Sequence, residues 1–209
     1  MLRDGTSSNA LGGFKDLKDF RDLKDFKDLK VLIGFCALTA ACATYGITFN
    51  VQSGTEEHGE VISGSEGLTK TGAGTLALYN LRNTYAGPTT VSAGHLYFAS
   101  IANVGEPSSL GCPQTSAQAA LTMDGSSTAR LAGVGEQATD RPVRQGDKAM
   151  FYVNGGAALM ATGPWTGRFY VRGSGTMRMA ARLTAGAISG CSRTDKGVTE
   201  LLCPSNTFA

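Results

Sequence analysis

Two histidines, His58 and His95, are the side chains in this 209-residue chain best suited to acid-base chemistry near neutral pH. His58 stands in the sequence EEHGE and His95 in AGHLY, and neither accompanies a serine or cysteine nucleophile motif. Three acidic residues flank His58, namely Glu56, Glu57 and Glu60. Such consecutive side chains on a loop are usually solvated rather than gathered around a metal ion. We therefore predict no catalytic residue and no metal site.

A second group of charged residues follows in the middle of the chain and could line a groove. It comprises Asp140, Arg141, Pro142, Arg144, Asp147 and Lys148. A solvated polar rim is the simpler interpretation of such a group. The Gly72-Ala73-Gly74 and Gly173-Ser174-Gly175 sequences lack the Lys-Ser/Thr that completes a phosphate-binding loop, so we predict turns there and no bound cofactor.

The composition limits the classes of partner. Charged residues make up 17% of the chain, the net charge is +2, and glycine contributes 28 residues. No basic block occurs after residue 30, so a nucleic-acid partner is not expected. The glycine content and the lack of long helical patterns indicate a chain of short strands and turns.

The first thirty residues differ from the rest because residues 14–29 repeat an apolar-basic-acidic triplet. A strict period of three distributes the apolar side chains around a helix instead of along one side. We predict that residues 1–30 are a low-complexity segment, disordered or helical, outside the folded domain.

Residues 31–43 form an apolar run of the length of a signal-peptide hydrophobic region. Ala41 and Ala43 flank Cys42 in the small-x-small arrangement that signal peptidase accepts, which predicts cleavage before Thr44. Lipidation at Cys42, an uncleaved anchor and a buried strand are alternatives. Export is the natural interpretation, to the cell surface, the outer membrane or the medium, with membrane association only through this segment or a missing C-terminal region.

Beyond residue 43 the chain contains Cys112, Cys191 and Cys203, an odd number without metal-binding spacing. A bridge between Cys112 and Cys191, or between Cys191 and Cys203, is one interpretation. Small packing residues are the other.

Alternating apolar residues broken by glycine recur from residue 75 onward and predict many short β-strands. Such alternation occurs in the stretches GTLALYNL, TTVSAGHLYFAS, ALTMDG, STARLAG, AMFYVNGG, AALMATG, GRFYVRGSG and GTMRMAARLTAG. This spacing admits a sandwich, a barrel or a parallel β-helix.

One stretch carries a family resemblance. The sequence GLTKTGAGTLAL at residues 67–78, followed by NTYAGPTTVSAGHL at residues 83–96, resembles the autotransporter-associated β-strand repeat. The resemblance implies an all-β, right-handed parallel β-helix in the passenger region of an exported bacterial surface protein, here over residues 44–209. Residues 194–209 resemble a decayed, truncated second copy, with Gly197 at the position of Gly72 and Leu201 at that of Leu76.

In such a solenoid the inward residues would be Leu76, Leu78, Val91, Leu96 and Leu121. On this reasoning an aspartate at Leu78 unfolds the local coils, whereas one at Ala77, on the opposite side of the strand, is nearly silent. The corner residues would be Asn83 and Gly72, Gly74, Gly87 and Gly94, the glycines with positive φ.

We expect a non-enzymatic surface solenoid for adhesion or structural display, whose partner is a surface glycan or a protein ligand. The candidate exposed binding patch consists of Trp165, Arg168, Tyr170 and Arg172. A carbohydrate-active β-helix enzyme, of the polysaccharide lyase or hydrolase type, is the alternative, and a structural spacer is a third possibility.

Overall fold

The computed structural model describes residues 46–181, 188–192 and 195–203, with the side chains of 188–192 excepted. Sixteen short strands make up the regular structure of these ranges. They are β1 (Ile47–Asn50), β2 (Thr55–His58), β3 (Leu68–Thr71), β4 (Thr75–Leu78), β5 (Thr89–Val91), β6 (His95–Phe98), β7 (Leu121–Met123), β8 (Thr128–Leu131), β9 (Gly135–Thr139), β10 (Val143–Gln145), β11 (Met150–Val153), β12 (Ala157–Ala161), β13 (Trp165–Arg172), β14 (Thr176–Met179), β15 (Ile188–Ser192) and β16 (Val198–Leu201).

Each pairing between these strands is parallel and joins a strand to its equivalent in a neighbouring coil. The first sheet contains β1, β3, β5, β7 and β10, and the second contains β2, β4, β6, β8 and β11. The third contains β9, β12, β14 and β16. The long strand β13 pairs with β10 through its first residues and with β11 through its last, so it joins the first two sheets. The predicted all-β parallel solenoid is confirmed.

The coils differ in length at one place. Leu68 pairs with Thr89 and Thr89 pairs with Leu121, and the second of these two coils contains clearly more chain than the first. The additional chain lies between β6 and β7. Both sheets nevertheless continue through it in register, so the insertion leaves the coil as a loop without disturbing the stack.

The narrow interior is filled by side chains that stack from coil to coil. Leu96 lies between Leu76 and Ala129 in the pairing of the second sheet, and all three are fully buried. The five leucine and valine residues expected to point inward are indeed buried, with at most 1% exposure. From Phe98 onward a chain of aromatic rings fills the core: the rings of Phe98 and Phe151 are tilted to each other, and Phe151, Trp165 and Phe169 pack edge-to-face.

Polar side chains also enter this core and form hydrogen bonds there. Lys70 is in register with Val91 on the inward side of the first sheet and has no exposed surface. Its ammonium group donates to the carbonyls of Thr71, Gly72 and Ala93 at 2.7, 2.8 and 3.2 Å. Burial lowers the pKa of Lys70, and the nearby Glu56 opposes that shift. Three carbonyl acceptors for three N–H donors make a buried cation tolerable here.

Asn83 and Tyr85 explain the N-T-Y part of the repeat. The Asn83 side chain accepts from the backbone N–H of Ile62 in the preceding coil and donates to the carbonyl of Ser109 in the following one, at 2.9 Å each. The predicted corner role of Asn83 is therefore confirmed. Tyr85 is fully buried and hydrogen bonds to the hydroxyl of Thr89 at 2.7 Å, and burial raises its pKa.

Glycine is required at the corners for two different physical reasons. Gly72 and Gly94 have φ of 76° and 68°, as expected, but Gly74 and Gly87 do not adopt positive φ. At Gly87 a Cβ atom would lie only 2.2 Å from the backbone nitrogen of Gly67 in the neighbouring coil. Close coil packing, rather than backbone conformation, requires glycine there.

Two expectations about exposure and repetition are wrong. Ala77 points outward but is fully buried, so it is not a tolerant position for aspartate. β16 pairs with β14 in the third sheet, whereas β4 belongs to the second, so Leu201 is not structurally equivalent to Leu76. Residue 194 and residues 204–209 of the proposed second copy lie outside the described residues, as do the low-complexity segment and the signal-like run. No helix long and apolar enough to cross a bilayer is found in the described ranges.

Leu96→Asp should destabilise the solenoid by about 3–5 kcal/mol, because it leaves an unpaired carboxylate in an apolar stack. His95→Asp, one residue earlier on the exposed side of β6, should change the stability by no more than about 0.5 kcal/mol. Thermal or denaturant melts of the two variants check this. Equal destabilisation would contradict the inward and outward assignment.

Candidate binding surface

The residues proposed as an exposed patch on β13 separate into two groups. Trp165 is 2% exposed, in register with the buried Val143, and its indole N–H donates to the Gln145 side-chain oxygen at 3.1 Å. Its assignment to the exposed patch is wrong, because its side chain fills the core. Arg168, Tyr170 and Arg172 have the opposite alternation and lie on the outside, Arg168 exposed and the other two half-buried.

Arg172 belongs to a longer row of side chains that runs across the coils on the outer face of the second sheet. The strand register places Tyr97 beside Arg130, Arg130 beside Tyr152 and Tyr152 beside Arg172. We call this row the tyrosine-arginine ladder; its members are Tyr97, Arg130, Tyr152 and Arg172. Since neighbouring strands of a sheet lie about 4.8 Å apart, equal side chains recur about every 9.6 Å.

Contacts with tyrosines of the ladder and with the neighbouring Tyr170 hold the ladder cations in place. The Arg130 guanidinium carbon lies 4.8 Å from the ring centroid of Tyr97 and 4.8 Å from that of Tyr152. Arg172 lies 5.4 Å from the ring centroid of Tyr170 and donates to its hydroxyl at 3.2 Å. Hydrogen bonds with the hydroxyls of Tyr170 and Tyr152 raise the pKa of Arg172. Cation-π contacts of this kind orient a guanidinium without neutralising its charge.

The ladder cations lack acidic partners among the described residues. The ion pairs found there join Arg178 of the third sheet to Glu136 and Glu200, at 3.2 and 3.0 Å. These carboxylates raise the pKa of Arg178, Glu200 more than Glu136. The Nε atoms of Arg130 and Arg172 are buried without a hydrogen-bond partner in the described part of the chain. The ladder therefore presents guanidinium groups that form no ion pair with a carboxylate of the described residues.

A cavity of about 670 Å³ adjoins the second half of the ladder. Six of its lining side chains are Arg130, Tyr152, Asn154, Ser174, Asp195 and Lys196. Asp195 accepts a hydrogen bond from the backbone N–H of Gly173 at 2.7 Å, which fixes its carboxylate at the cavity wall. This volume is in the range of small-ligand sites, and the lining mixes cations, hydroxyl and amide groups with a single carboxylate.

The other outer faces are different in chemistry. Across the first sheet the register aligns a row of threonines, interrupted by one arginine; the row is Thr48, Thr69, Thr90, Thr122, Arg144 and Thr166. Threonine favours strands through its branched side chain, so this row needs no ligand to explain it. Arg144 is exposed on the outer face of the first sheet, so it is a suitable control position for the ladder arginines.

The charged group at residues 140–148 does not form one groove. Arg141 is buried, and its guanidinium donates to the carbonyls of Ala102, Leu110, Gly111 and Glu106 and to the Ser108 hydroxyl. Burial lowers the pKa of Arg141. Its role is to hold the inserted loop between β6 and β7 against the solenoid. Asp147 and Lys148 instead line a smaller cavity of about 240 Å³ with Met150, Arg168 and Tyr170.

The two histidines and the described cysteine side chains, Cys112 and Cys203, are not among the residues that line the ladder cavity. His95 is exposed, and His58 contacts the ring of Phe49 edge-on with centroids 5.2 Å apart. Within the described ranges no three His, Cys, Asp or Glu side chains lie together as metal ligands would. Cys112 and Cys203 are free thiols, so neither proposed bridge is formed; the side chain of Cys191 lies outside the described set.

Sequence reasoning missed Tyr97, Arg130 and Tyr152. The intervals between consecutive ladder members are unequal in the sequence, and the first of them, from Tyr97 to Arg130, contains the inserted loop. A signal was present in the strand motifs HLYF, TARL and MFYV, whose third residues align when the inward residues are superimposed.

Comparison with known proteins agrees with the parallel coils of the fold. Residues 68–96 match the passenger-associated-transport-repeat family. The chain is 36% identical over 138 residues to the adhesin BmaC autotransporter of Brucella suis biovar 1 (strain 1330). That alignment covers 62% of this chain and 4% of the adhesin, so the chain spans a small fraction of the relative's length. No solved structure matches the chain. The expected autotransporter-type passenger repeat is confirmed.

Arg141→Gln should expose the inserted loop to protease, because it removes donors from several buried carbonyls at about 1–3 kcal/mol each. Thermolysin cleavage before Leu110, followed by mass spectrometry, should become at least about tenfold faster, since about 1.4 kcal/mol corresponds to a factor of ten. Arg144→Gln, on the exposed side of β10, should leave the cleavage rate unchanged. Equal rates in both variants would show that Arg141 does not hold the loop.

A double-mutant cycle can measure the ladder contact between Arg130 and Tyr152. We expect Arg130→Gln and Tyr152→Leu to show a coupling free energy of about 0.5–1 kcal/mol in denaturant unfolding. The same cycle between Arg130 and the exposed Tyr79, on another part of the surface, should give a value near zero. A coupling of equal size at Tyr79 would contradict a specific stacking contact.

Proposed function

We propose that this chain, an autotransporter-type passenger repeat protein, is a non-enzymatic adhesive segment that binds a surface ligand through the tyrosine-arginine ladder. The passenger-associated transport repeat marks the chain as part of an exported, surface-associated protein. The similar Brucella protein carries the name adhesin, which supports adhesion here as well. The signal-like run at residues 31–43 supports the same route of export.

The observation that carries the proposal is the ladder itself. Two guanidinium groups without acidic partners among the described residues are held among tyrosine side chains, whereas the arginine on the third sheet is neutralised by two glutamates. Guanidinium groups that lack an intramolecular carboxylate but are held by stacking are suited to bind an external anion. Their side chains are already ordered in the folded protein, so binding causes little further loss of conformational entropy. A repetitive surface also spreads affinity over several coils, as solenoid proteins do.

The enzyme alternative has less support from the described residues. Carbohydrate-cleaving sites of the two-carboxylate type need acids on both sides of the scissile bond. The ladder cavity contains one carboxylate, Asp195, which is engaged by a backbone N–H. The spacer alternative gives no reason for the uncompensated cations of the ladder.

Adhesion can be tested with beads that carry the full chain. We expect these beads to be retained on cultured cells or extracellular matrix at least about tenfold more than uncoated beads. A tenfold difference corresponds to about 1.4 kcal/mol of binding free energy. Tyr97→Thr with Tyr152→Thr should abolish the retention while keeping strand propensity. Thr90→Ala with Thr122→Ala, on the first sheet, is the matched control and should retain it.

Three outcomes would contradict the proposal in different ways. Absence of retention would favour the spacer. Equal loss in the control variant would place the adhesive surface elsewhere. Release of reducing ends from polysaccharides incubated with the chain would favour the enzyme.

A further inference from the structure

We infer that the ligand of the ladder is an acidic oligosaccharide whose carboxylates are separated by uncharged sugars. The inference rests on the proposed function in that it concerns the same surface. It goes further by assigning the class of ligand from the spacing of the cations and from the chemistry of the adjoining cavity.

The spacing of the two ladder arginines indicates the spacing of charges on the ligand. Arg130 and Arg172 occupy alternate coils of the ladder, so they are separated by two strand spacings, about 9.6 Å. Between them stands Tyr152, a neutral residue with a hydroxyl group. This alternation of charge and hydroxyl fits a polymer in which each charged sugar is followed by a neutral one. A chain with a charge on every unit would place anions beside tyrosines, where no cation meets them.

The orientation of the rings supports recognition of anions rather than stacking of sugars. Tyr97 and Tyr152 contact the same guanidinium of Arg130 through their ring faces, at equal centroid distances of 4.8 Å. Ring faces occupied in this way do not serve as platforms for sugars. The N–H and O–H groups of the ladder remain available to a ligand, and they recognise carboxylates by charge-assisted hydrogen bonds.

The cavity beside the ladder supplies groups for sugar hydroxyls. Asn154 and Ser174 can both donate and accept, and Lys196 adds a third cation near Arg130. The Asp195 carboxylate uses the Gly173 N–H and retains further acceptor positions for hydroxyl donors. A carboxylate at this position also disfavours a densely charged anion, which distinguishes the site from a general polyanion surface.

A peptide ligand fits the same surface less well. Three of the four ladder strands, β6, β8 and β11, are each paired on both sides, so a peptide cannot extend the sheet beside them. The described lining residues of the cavity include one aromatic side chain, Tyr152, and no aliphatic one, whereas peptide recognition depends on apolar or aromatic anchor pockets.

The test measures binding of three probes to the full chain by isothermal titration calorimetry. Hyaluronan oligosaccharides carry one carboxylate per disaccharide, heparin carries dense sulfate, and dextran is neutral. We expect hyaluronan oligosaccharides to bind more tightly than heparin, with an affinity that falls with salt, and dextran not to bind. Arg130→Gln with Arg172→Gln should weaken hyaluronan binding at least about tenfold. Arg144→Gln, the same change in the threonine row, should leave it unaltered.

The results separate this inference from the adhesion proposal. Absence of hyaluronan binding, tighter binding of heparin, or equal loss in Arg144→Gln would overturn the ligand class. If beads still adhere through the ladder in the presence of excess hyaluronan oligosaccharides, the adhesion proposal stands, the acidic-glycan inference fails and a protein ligand is favoured. If hyaluronan oligosaccharides bind through the ladder but the beads do not adhere, the glycan site stands and the adhesion proposal fails.

Discussion

Backbone hydrogen bonds between parallel strands set the distance between equivalent residues of neighbouring coils at about 4.8 Å, and the remaining features of the molecule follow from this spacing. Side chains on one face form continuous rows, whether buried, as in Leu76, Leu96 and Ala129, or exposed, as in the ladder. The corners must be thin enough for the strands to keep this distance. That requirement explains why a Cβ at Gly87 would meet the backbone of the neighbouring coil.

The same spacing determines which polar groups the core can accept. A short coil such as the one from Leu68 to Thr89 encloses a narrow interior, so an inward side chain of sufficient length reaches the carbonyls at a corner. Lys70 does so with three donors, and Arg141 does so across the inserted loop. In both cases most of the acceptors are backbone carbonyls outside the strands or at their ends. A buried cation is stabilised here by dipoles rather than by a counter-ion, which avoids the desolvation of a second charge.

Much of this architecture could be predicted from residues, and the limits have physical causes. Alternation and the repeat at residues 67–96 predict the parallel coils and the inward leucines, because both depend on local spacing. Alternation from Phe169 back to Trp165 also places Trp165 inward, opposite to Arg168, so the sequence contained the signal that contradicts its place in the exposed patch. The ladder depends on register between strands that are distant in the sequence, which an insertion of unknown size conceals. The burial of Ala77 and the position of Arg141 depend on neighbours in other coils, so no local pattern reveals them.

Alternation of tyrosine and arginine in the ladder is itself a solution to an electrostatic problem. Two guanidinium groups on adjacent coils would lie about 4.8 Å apart and repel each other, whereas a tyrosine between them doubles this distance and halves the Coulomb energy. The intervening Tyr152 also contacts both cations, since its ring face lies against Arg130 and its hydroxyl hydrogen bonds with Arg172. A solenoid that displays uncompensated positive charge along its axis is therefore expected to intersperse it with aromatic residues. A row of arginine alone would need acidic partners, as Arg178 has on the third sheet, and would then offer no charge to a ligand.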